Sequence, residues 1–297
     1  MKYKTLEIFL QQNVGVIWMN RPEVRNAFNE TMIAELTQAF QAADADKSIR
    51  AVVLAGHGPA FCAGADLNWM KKMSGYTLRE NQADAMSLAA MLNTIYMMKK
   101  PTVARIHGPA FAGGMGLVAA CDIAIAAQEA EFCLSEVKLG LTAATISPYV
   151  VAAMGERHAR RYFLSAERFS AAEAFRIGLV HDLATMEELD ASVNTLLGHL
   201  LLASPAAIAA SKELIRAVAR APIEQKLIAD TAARIAAARA SVDGKEGIRS
   251  FLEKRKPSWA ETKPQDAKGA AKQARRKRAS VEAGIPQGNP IVTSVVK

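Results

Sequence analysis

The sequence IHGPAFAGGMGL at residues 106–117 carries the pattern that most constrains the fold. It follows the run PTVAR at residues 101–105 and leads into an apolar run that ends at Cys121. This order predicts a strand, a turn at Gly113 and Gly114, and then a buried helix. Glycine lacks a Cβ and the first turn of a helix has unpaired N–H donors, so a ligand oxygen can approach closely there. The pattern indicates either a site that stabilises a negative oxygen or close packing of a helix on a sheet.

Length and composition favour a globular domain with a sizeable hydrophobic core. The chain has 297 residues, of which 51% are hydrophobic and 22% are charged, values typical of globular proteins. No run of about 18 apolar residues predicts a membrane span, and the N-terminus lacks the pattern of a secretory signal. The three cysteines and five histidines show no CxxC or HExxH spacing. We therefore expect reduced thiols, no metal site, no membrane partner and a cytoplasmic location.

The positive charge of the chain is concentrated at its C-terminal end. Residues 263–297 contain eight Lys or Arg and two Asp or Glu, which accounts for +6 of the net charge of +8. The basic run KQARRKR at residues 272–278 lies in a stretch rich in polar residues, Gly and Pro. This composition predicts a disordered tail over 261–297, either without a role or binding RNA, membrane phosphates or another acidic partner. We expect no nucleic-acid partner for the rest of the chain.

Hydrophobic periodicity predicts alternating strands and helices in the first half of the chain. Strands at 3–9 and 14–19 form a hairpin, Asn29 caps a helix to about residue 45, and 51–55 is a buried strand. Further predicted elements are a helix beginning at 67 and capped by Asp66 or a neighbour, a helix at 78–99, strands at 123–126 and 131–133, and helices at 145–154, 156–165, 170–176, 187–202, 205–219, 222–240 and 243–254. The pattern predicts an α/β core within residues 1–200 and a helical region at 201–260.

Two loops place small residues where a predicted strand meets a helix. One is AGAD at residues 63–66, and the other is AGG at residues 112–114. If the backbone N–H groups of Ala65 and Gly113 converge, they form a two-donor oxyanion hole.

A third candidate is Glu136, which lies in the mostly apolar stretch FCLSEV at residues 132–137. An apolar environment raises the pKa of a carboxyl group towards a value useful for proton transfer. The alternative is a carboxylate at the end of a helix or strand that pairs with Lys138 or an arginine.

Several motifs in the right order resemble the enoyl-CoA hydratase/isomerase (crotonase) superfamily. They are Arg21-Pro22 with Asn26-Ala27, FCAGADL at 61–67, Gly108 with AGG at 112–114 and ACD at 120–122, and Phe132 with Glu136 and Gly140. The resemblance covers residues 3–260 and implies a spiral of ββα units with a helical C-terminal trimerisation region. It implies an acyl-CoA thioester substrate, no cofactor beyond the substrate's own coenzyme A, and a homotrimer or dimer of trimers.

The same resemblance assigns roles to individual residues. The oxyanion hole falls on Ala65 and Gly113, and Glu136 falls on the position of a catalytic glutamate. The coenzyme A path falls on Ala27, Ala63, Asp66 and Leu67, with Gly114 beside it. Trp69 walls the acyl pocket or packs in the core.

Gly116 departs from the pattern of the family's hydratases, which carry a first glutamate at this position. A single glutamate matching Glu136 also occurs in family members that shift a double bond. The segments 132–141 and 146–150 and the ending EGIRSFLEKRKP at 246–257 are similar to bacterial methylglutaconyl-CoA hydratases of leucine breakdown and to isohexenylglutaconyl-CoA hydratases.

We therefore expect hydration of a 2-enoyl-CoA resembling 3-methylglutaconyl-CoA, with Glu136 as the acid/base. The alternatives are a double-bond isomerase that uses Glu136 alone, a pseudoenzyme of the same fold, and binding of an acidic partner through the tail. Tyr149 and Arg157 are further candidates for contact with a distal carboxylate of the substrate.

Overall fold

A computed structural model describes residues 3–260, and the tail beyond them lies outside the described residues. The strands are β1 Leu6–Gln11, β2 Val14–Met19, β3 Ala51–Gly56, β4 Thr102–Ile106, β5 Ala110–Phe111, β6 Ile123–Ala127, β7 Glu131–Cys133, β8 Phe169–Ser170 and β9 Asp182–Ala184. The helices are α1 Glu30–Ala45, α2 Leu67–Met73, α3 Leu78–Met97, α4 Gly113–Ala120, α5 Ser147–Ser165, α6 Ala171–Arg176, α7 Leu189–Leu202, α8 Pro205–Val218, α9 Gln225–Ala240 and α10 Val242–Leu252. The predicted α/β class with a helical second half is confirmed.

Six strands form the main sheet in the order β1-β2-β3-β4-β6-β9. The hairpin β1–β2 is antiparallel, and the other neighbours are parallel. Every residue of β3 is buried, as expected for a continuous apolar strand covered on both faces. Helices α1 and α3 pack against one another, and the buried side chains of Met32, Leu36 and Phe40 in α1 contribute to the core.

A second, smaller sheet runs alongside the main sheet, and the chain passes between the two in a spiral. Strands β5, β7 and β8 form this sheet, and single bridges continue the stack through Cys62 to Ala110 and through Phe28 to Ala65. Successive turns of the chain therefore add one strand to the main sheet and a short segment to this second stack. Strands β5, β8 and β9 were not predicted, because segments of two or three residues show no measurable periodicity.

Helix capping follows the predicted signals in the first half of the chain. The Asn29 side chain accepts a hydrogen bond from the Met32 N–H at 2.9 Å, and Asp66 accepts from Asn68 and Trp69 to begin α2. Such caps satisfy donors that the first helical turn leaves unpaired.

One predicted helix boundary was wrong, because Pro222 does not begin a helix and α9 starts at Gln225. The helices expected on either side of residue 155 are the two arms of α5, which is interrupted at Gly155, where the backbone is non-helical with φ 76°. Glu136 lies beyond the end of β7 and opens a 3-10 turn, Glu136–Leu139.

The chain divides into two compact units at the boundary between Thr195 and Leu196. Within the second unit, Ser204 caps α8 and donates to Asp243 at 2.5 Å. The Trp259 indole N–H donates to the Leu202 carbonyl at 3.1 Å. These contacts tie the beginning of α8 to α10 and tie the last described turn to the end of α7.

A buried ion pair in the first unit joins β4 to α7. The Arg105 side chain is 5% exposed, and its Nε donates to Asp190 Oδ1 at 2.5 Å. The same guanidinium lies over the Trp18 ring at 5.6 Å. A buried guanidinium left without its carboxylate carries a large desolvation penalty.

Ala112, the residue before α4, has an unfavourable backbone conformation. Its φ is 48° and its ψ is −121°, a combination that glycine adopts readily and alanine does not. The Ala112 N–H donates to the Cys133 carbonyl at 2.8 Å, so pairing with β7 helps hold the residue there. The first turn of α4 is therefore positioned at a cost in backbone strain.

We expect Asp190→Ala to lower the free energy of unfolding by about 3 kcal/mol, because Arg105 then stays buried without a counter-ion. Urea unfolding measures this loss. Glu156→Ala is the control, since it removes an exposed pair with Arg160 and should leave the unfolding midpoint almost unchanged. Equal losses in the two variants would contradict the assignment.

We expect Ala112→Gly to raise the free energy of unfolding by about 1 kcal/mol, because relief of strain exceeds the added freedom of the unfolded chain. Ala119→Gly is the matched control, since Ala119 is also partly buried but lies inside α4. This control should lose about 1 kcal/mol. Denaturant unfolding of both variants tests the sign of each effect, and a loss at position 112 would refute the strain.

Candidate active site

The two small-residue loops predicted to converge are directly bonded to each other. The Cys62 N–H donates to the Pro109 carbonyl at 3.1 Å, and the Phe111 N–H donates to the Cys62 carbonyl at 2.9 Å. The loop after β3 and the loop after β4 therefore run side by side. A Cβ added at Gly64 would lie 3.0 Å from the Ala112 Cβ, so the two loops also touch one residue before each predicted donor.

The two predicted oxyanion donors have no protein acceptor within residues 3–260. The neighbouring N–H groups are paired, since Phe28 donates to Gly64, Asp66 donates to Phe28, and Ala112 donates to Cys133. No such bond involves the N–H of Ala65 or Gly113. Two unpaired donors on adjacent loops, one of them at a helix N-terminus, suit an oxygen that gains negative charge.

Both glycines of the turn are also required by packing. A Cβ at Gly113 would lie 2.6 Å from the Phe28 ring, and one at Gly114 would lie 2.5 Å from the Cys62 carbonyl oxygen. The alternative interpretation of the glycine pair, close helix packing, is therefore observed as well. One feature supports both roles, because absence of the Cβ lets the backbone approach a neighbour and a ligand alike.

A polar cavity of about 240 Å³ lies beside the residues predicted to line the coenzyme A path. Asp66 is buried and accepts from Arg21 at 2.7 Å, and Arg21 also donates to the Ala27 carbonyl at 2.6 Å. The Ala63 N–H donates to the Arg25 carbonyl at 3.0 Å. Hydrogen bonds from Arg21, Asn68 and Trp69 outweigh burial and lower the Asp66 pKa, although burial is the largest single influence. The cavity is lined by Arg21, Asn29, Glu30, Asp66, Asn68, Trp69 and Lys72.

Leu67 and Trp69 occupy different environments at the start of α2. Leu67 is 80% exposed, so its side chain is free to meet a ligand. Trp69 is buried in the hydrophobic core, and its indole N–H donates to Asp84 at 3.1 Å. This packing favours the core role over an acyl-pocket wall for Trp69.

Glu136 lies on the segment that β7 anchors to the glycine turn. Strands β5 and β7 pair through Phe111 and Cys133, and Glu136 follows three residues later. Its Oε2 atom is buried without a hydrogen-bond partner among the described residues. Burial raises the pKa of Glu136, while a backbone hydrogen bond opposes the shift. No ion pair with Lys138 or an arginine is present within residues 3–260, so the alternative of a paired carboxylate is not observed.

The position of the missing first glutamate is filled by an apolar side chain. Gly116 is buried inside α4, and the space beside it is occupied by Ile146. Sequence reasoning identified Gly116 but not Ile146, because 30 positions separate two residues that no periodic pattern connects.

No group of three or more His, Cys, Asp or Glu within 3–260 is arranged to hold a metal ion. No single helix in the same range is long and apolar enough to cross a membrane.

Known proteins are similar to this chain in architecture and in sequence. The family model described as enoyl-CoA hydratase/isomerase matches residues 10–263. A crotonyl-CoA hydratase from Syntrophomonas wolfei is 31% identical over 264 residues, covering 87% of this chain and 99% of that protein. An enoyl-CoA hydratase structure from Shewanella pealeana has a TM-score of 0.85 and 41% identity, covering 87% of this chain and 97% of the other. One from Mycobacterium smegmatis has a TM-score of 0.81 and 32% identity, covering 87% and 100%. The chain belongs to the enoyl-CoA hydratase/isomerase family of enzymes, the crotonase superfamily, and has its fold.

Proposed function

We propose that the protein adds water to the double bond of a 2-enoyl-CoA thioester, with Glu136 as the acid/base. The observation that carries the proposal is the Oε2 atom of Glu136, which is buried and has no hydrogen-bond partner within residues 3–260. Glu136 lies on the segment bonded to the glycine turn. A carboxylate with one buried oxygen that lacks a hydrogen-bond partner is costly to the fold, so its presence supports a chemical role.

The proposed step uses only this carboxylate and the two backbone donors. Glu136 accepts a proton from water as the water oxygen bonds to C3 of the acyl group. The C2–C3 π electrons move into the thioester, and the resulting enolate oxygen accepts hydrogen bonds from Ala65 and Gly113. Glu136 then returns the proton to C2, so the net change is addition of one water molecule. The route requires no cofactor, because the thioester itself accepts the negative charge.

We also propose an acyl group resembling 3-methylglutaconyl, as the similarity of segment 132–141 to methylglutaconyl-CoA hydratases implies. Gly116 favours a second candidate, an isomerase that moves one proton between C2 and C4 with Glu136 alone. Relatives named as hydratases, such as the Syntrophomonas wolfei protein, support hydration.

We expect Glu136→Gln to lower kcat for hydration about 10³-fold with little change in KM, because the amide cannot exchange the proton. Loss of absorbance of the conjugated thioester measures hydration of 3-methylglutaconyl-CoA and crotonyl-CoA. Glu131→Gln is the control, since Glu131 lies five residues earlier and pairs with Arg168 at 3.5 Å. Retained activity in Glu136→Gln would exclude Glu136, and conversion of a 3-enoyl-CoA without hydration would favour the isomerase.

The same variant reports the protonation state of Glu136. Burial raises the pKa of Glu136, so the ionised carboxylate destabilises the fold. Because the ionised form is the proposed base, kcat/KM should fall as the pH drops through the raised pKa. We expect Glu136→Gln to remove this acid limb and to raise the melting temperature more at pH 7 than at pH 4. An acid limb in the usual range of a glutamic acid would contradict the assignment.

We further propose that the chain assembles as a homotrimer or a dimer of trimers through its C-terminal helices. In the second unit, large apolar side chains are exposed on α9, on α10 and before α9. Phe251 is 82% exposed, and Ile223, Val242 and Leu252 are exposed to a similar extent. Exposed apolar side chains of this size support association between chains through this region.

We expect Val242→Asp combined with Phe251→Asp to shift the protein to smaller species, because buried carboxylates disfavour an apolar interface. Sedimentation velocity at micromolar concentration measures the shift. Lys245→Asp is the control, since it adds a carboxylate at an exposed polar position of α10. Wild-type protein that sediments as a monomer would refute the assembly.

A further inference from the structure

Gly116 faces a neighbour that leaves no room for a side chain. A Cβ built at this position would lie 2.9 Å from the Ile146 Cβ and closer still to the Ile146 Cγ2. The next contact is the Leu92 Cδ2 at 3.5 Å, an ordinary van der Waals distance. Ile146 is therefore the nearest obstacle to a Cβ at position 116.

Ile146 is held firmly in place. It is 2% exposed, and it is the N-cap residue of α5. Its carbonyl accepts hydrogen bonds from the N–H groups of Tyr149 and Val150, each at 3.1 Å. A β-branched side chain has few χ1 rotamers, so the buried Ile146 side chain has little freedom to rotate away.

Aromatic packing braces this contact one helical turn further on. Tyr149 follows Ile146 on α5, and Tyr96 follows Leu92 on α3. The two tyrosine rings meet edge to face with centroids 5.4 Å apart. Helices α3 and α5 both pack on α4, so displacement of Ile146 would strain two helix contacts.

The contact between Gly116 and Ile146 affects the chemistry because Gly116 lies close to the proposed oxyanion hole. Gly116 lies three residues after Gly113 on α4, and residues at this spacing are neighbours on one helix face. An acidic side chain at 116 would stand beside the proposed thioester oxygen site. In this protein Ile146 presents hydrocarbon there, and Glu136 is the carboxylate proposed to move protons.

We propose that Ile146 is a specificity-determining residue that keeps the active site in a one-carboxylate form. A glutamate at position 116 is accommodated only when residue 146 is reduced to glycine. The inference rests on the proposed role of Glu136, but the steric coupling between positions 116 and 146 is independent of it. Glycine is suitable at 146, because helix N-caps tolerate it well.

The test compares wild type with Gly116→Glu, Ile146→Gly and the double variant. We expect Gly116→Glu alone to lower the melting temperature by more than about 5 °C, since overpacking a core is costly. The double variant should recover most of this loss. Gly75→Glu is the control, because a Cβ there meets only the Lys72 carbonyl at 3.6 Å, and it should melt close to wild type.

Kinetics distinguish a specificity role from a purely structural one. Relative to Ile146→Gly, the double variant should hydrate crotonyl-CoA at least about 10-fold faster. Its kcat/KM should gain a second pH-dependent limb from the added carboxylate. The proposed steric coupling between positions 116 and 146 would be overturned by an unchanged melting temperature in Gly116→Glu. It would also be overturned if the losses in melting temperature were additive in the double variant.

Recovery of the melting temperature without faster hydration or a second limb would overturn the specificity assignment alone. Failure of the proposed function is seen separately, as activity retained in Glu136→Gln. In that case the effects of the substitutions at positions 116 and 146 on the melting temperature would still be non-additive.

Discussion

Backbone pairing between successive turns of the chain is the constraint on which the site depends. Strands of the main sheet diverge into loops, and the bridges at Phe28–Ala65 and Cys62–Ala110 bring those loops back into contact. Strand β7 then pairs with β5 and carries Glu136 to the same region. Because these contacts are main-chain hydrogen bonds, they fix donors and carboxylate with little dependence on side-chain identity.

The site concentrates features that cost stability. Ala112 has a strained backbone. Within residues 3–260, two N–H groups lack protein acceptors and Glu136 has a buried oxygen without a hydrogen-bond partner. In the proposed mechanism, each feature serves a reacting thioester and not the stability of the folded protein. The surrounding sheet, with fully buried strands such as β3, supplies the compensating stability, as is common for active sites built on rigid scaffolds.

Much of this arrangement could be predicted where the signal is local. The buried strand at 51–55, the caps at Asn29 and Asp66, and the apolar environment of Glu136 depend on adjacent residues. The two-residue strand β5 could not be predicted, because its pairing is decided by the stacking of distant turns. The contact between Gly116 and Ile146 was inaccessible for the same reason, since it arises only when α4 and α5 pack together.

The use of main-chain donors makes the two halves of the proposed oxyanion hole unequal in evolution. At a position that contributes only its backbone N–H, substitution of the side chain does not remove the donor. Gly113 is the exception, because the Phe28 ring occupies the space of its missing Cβ. Any descendant that replaces this glycine must first lose the phenylalanine ring, so the two residues are expected to diverge as a pair.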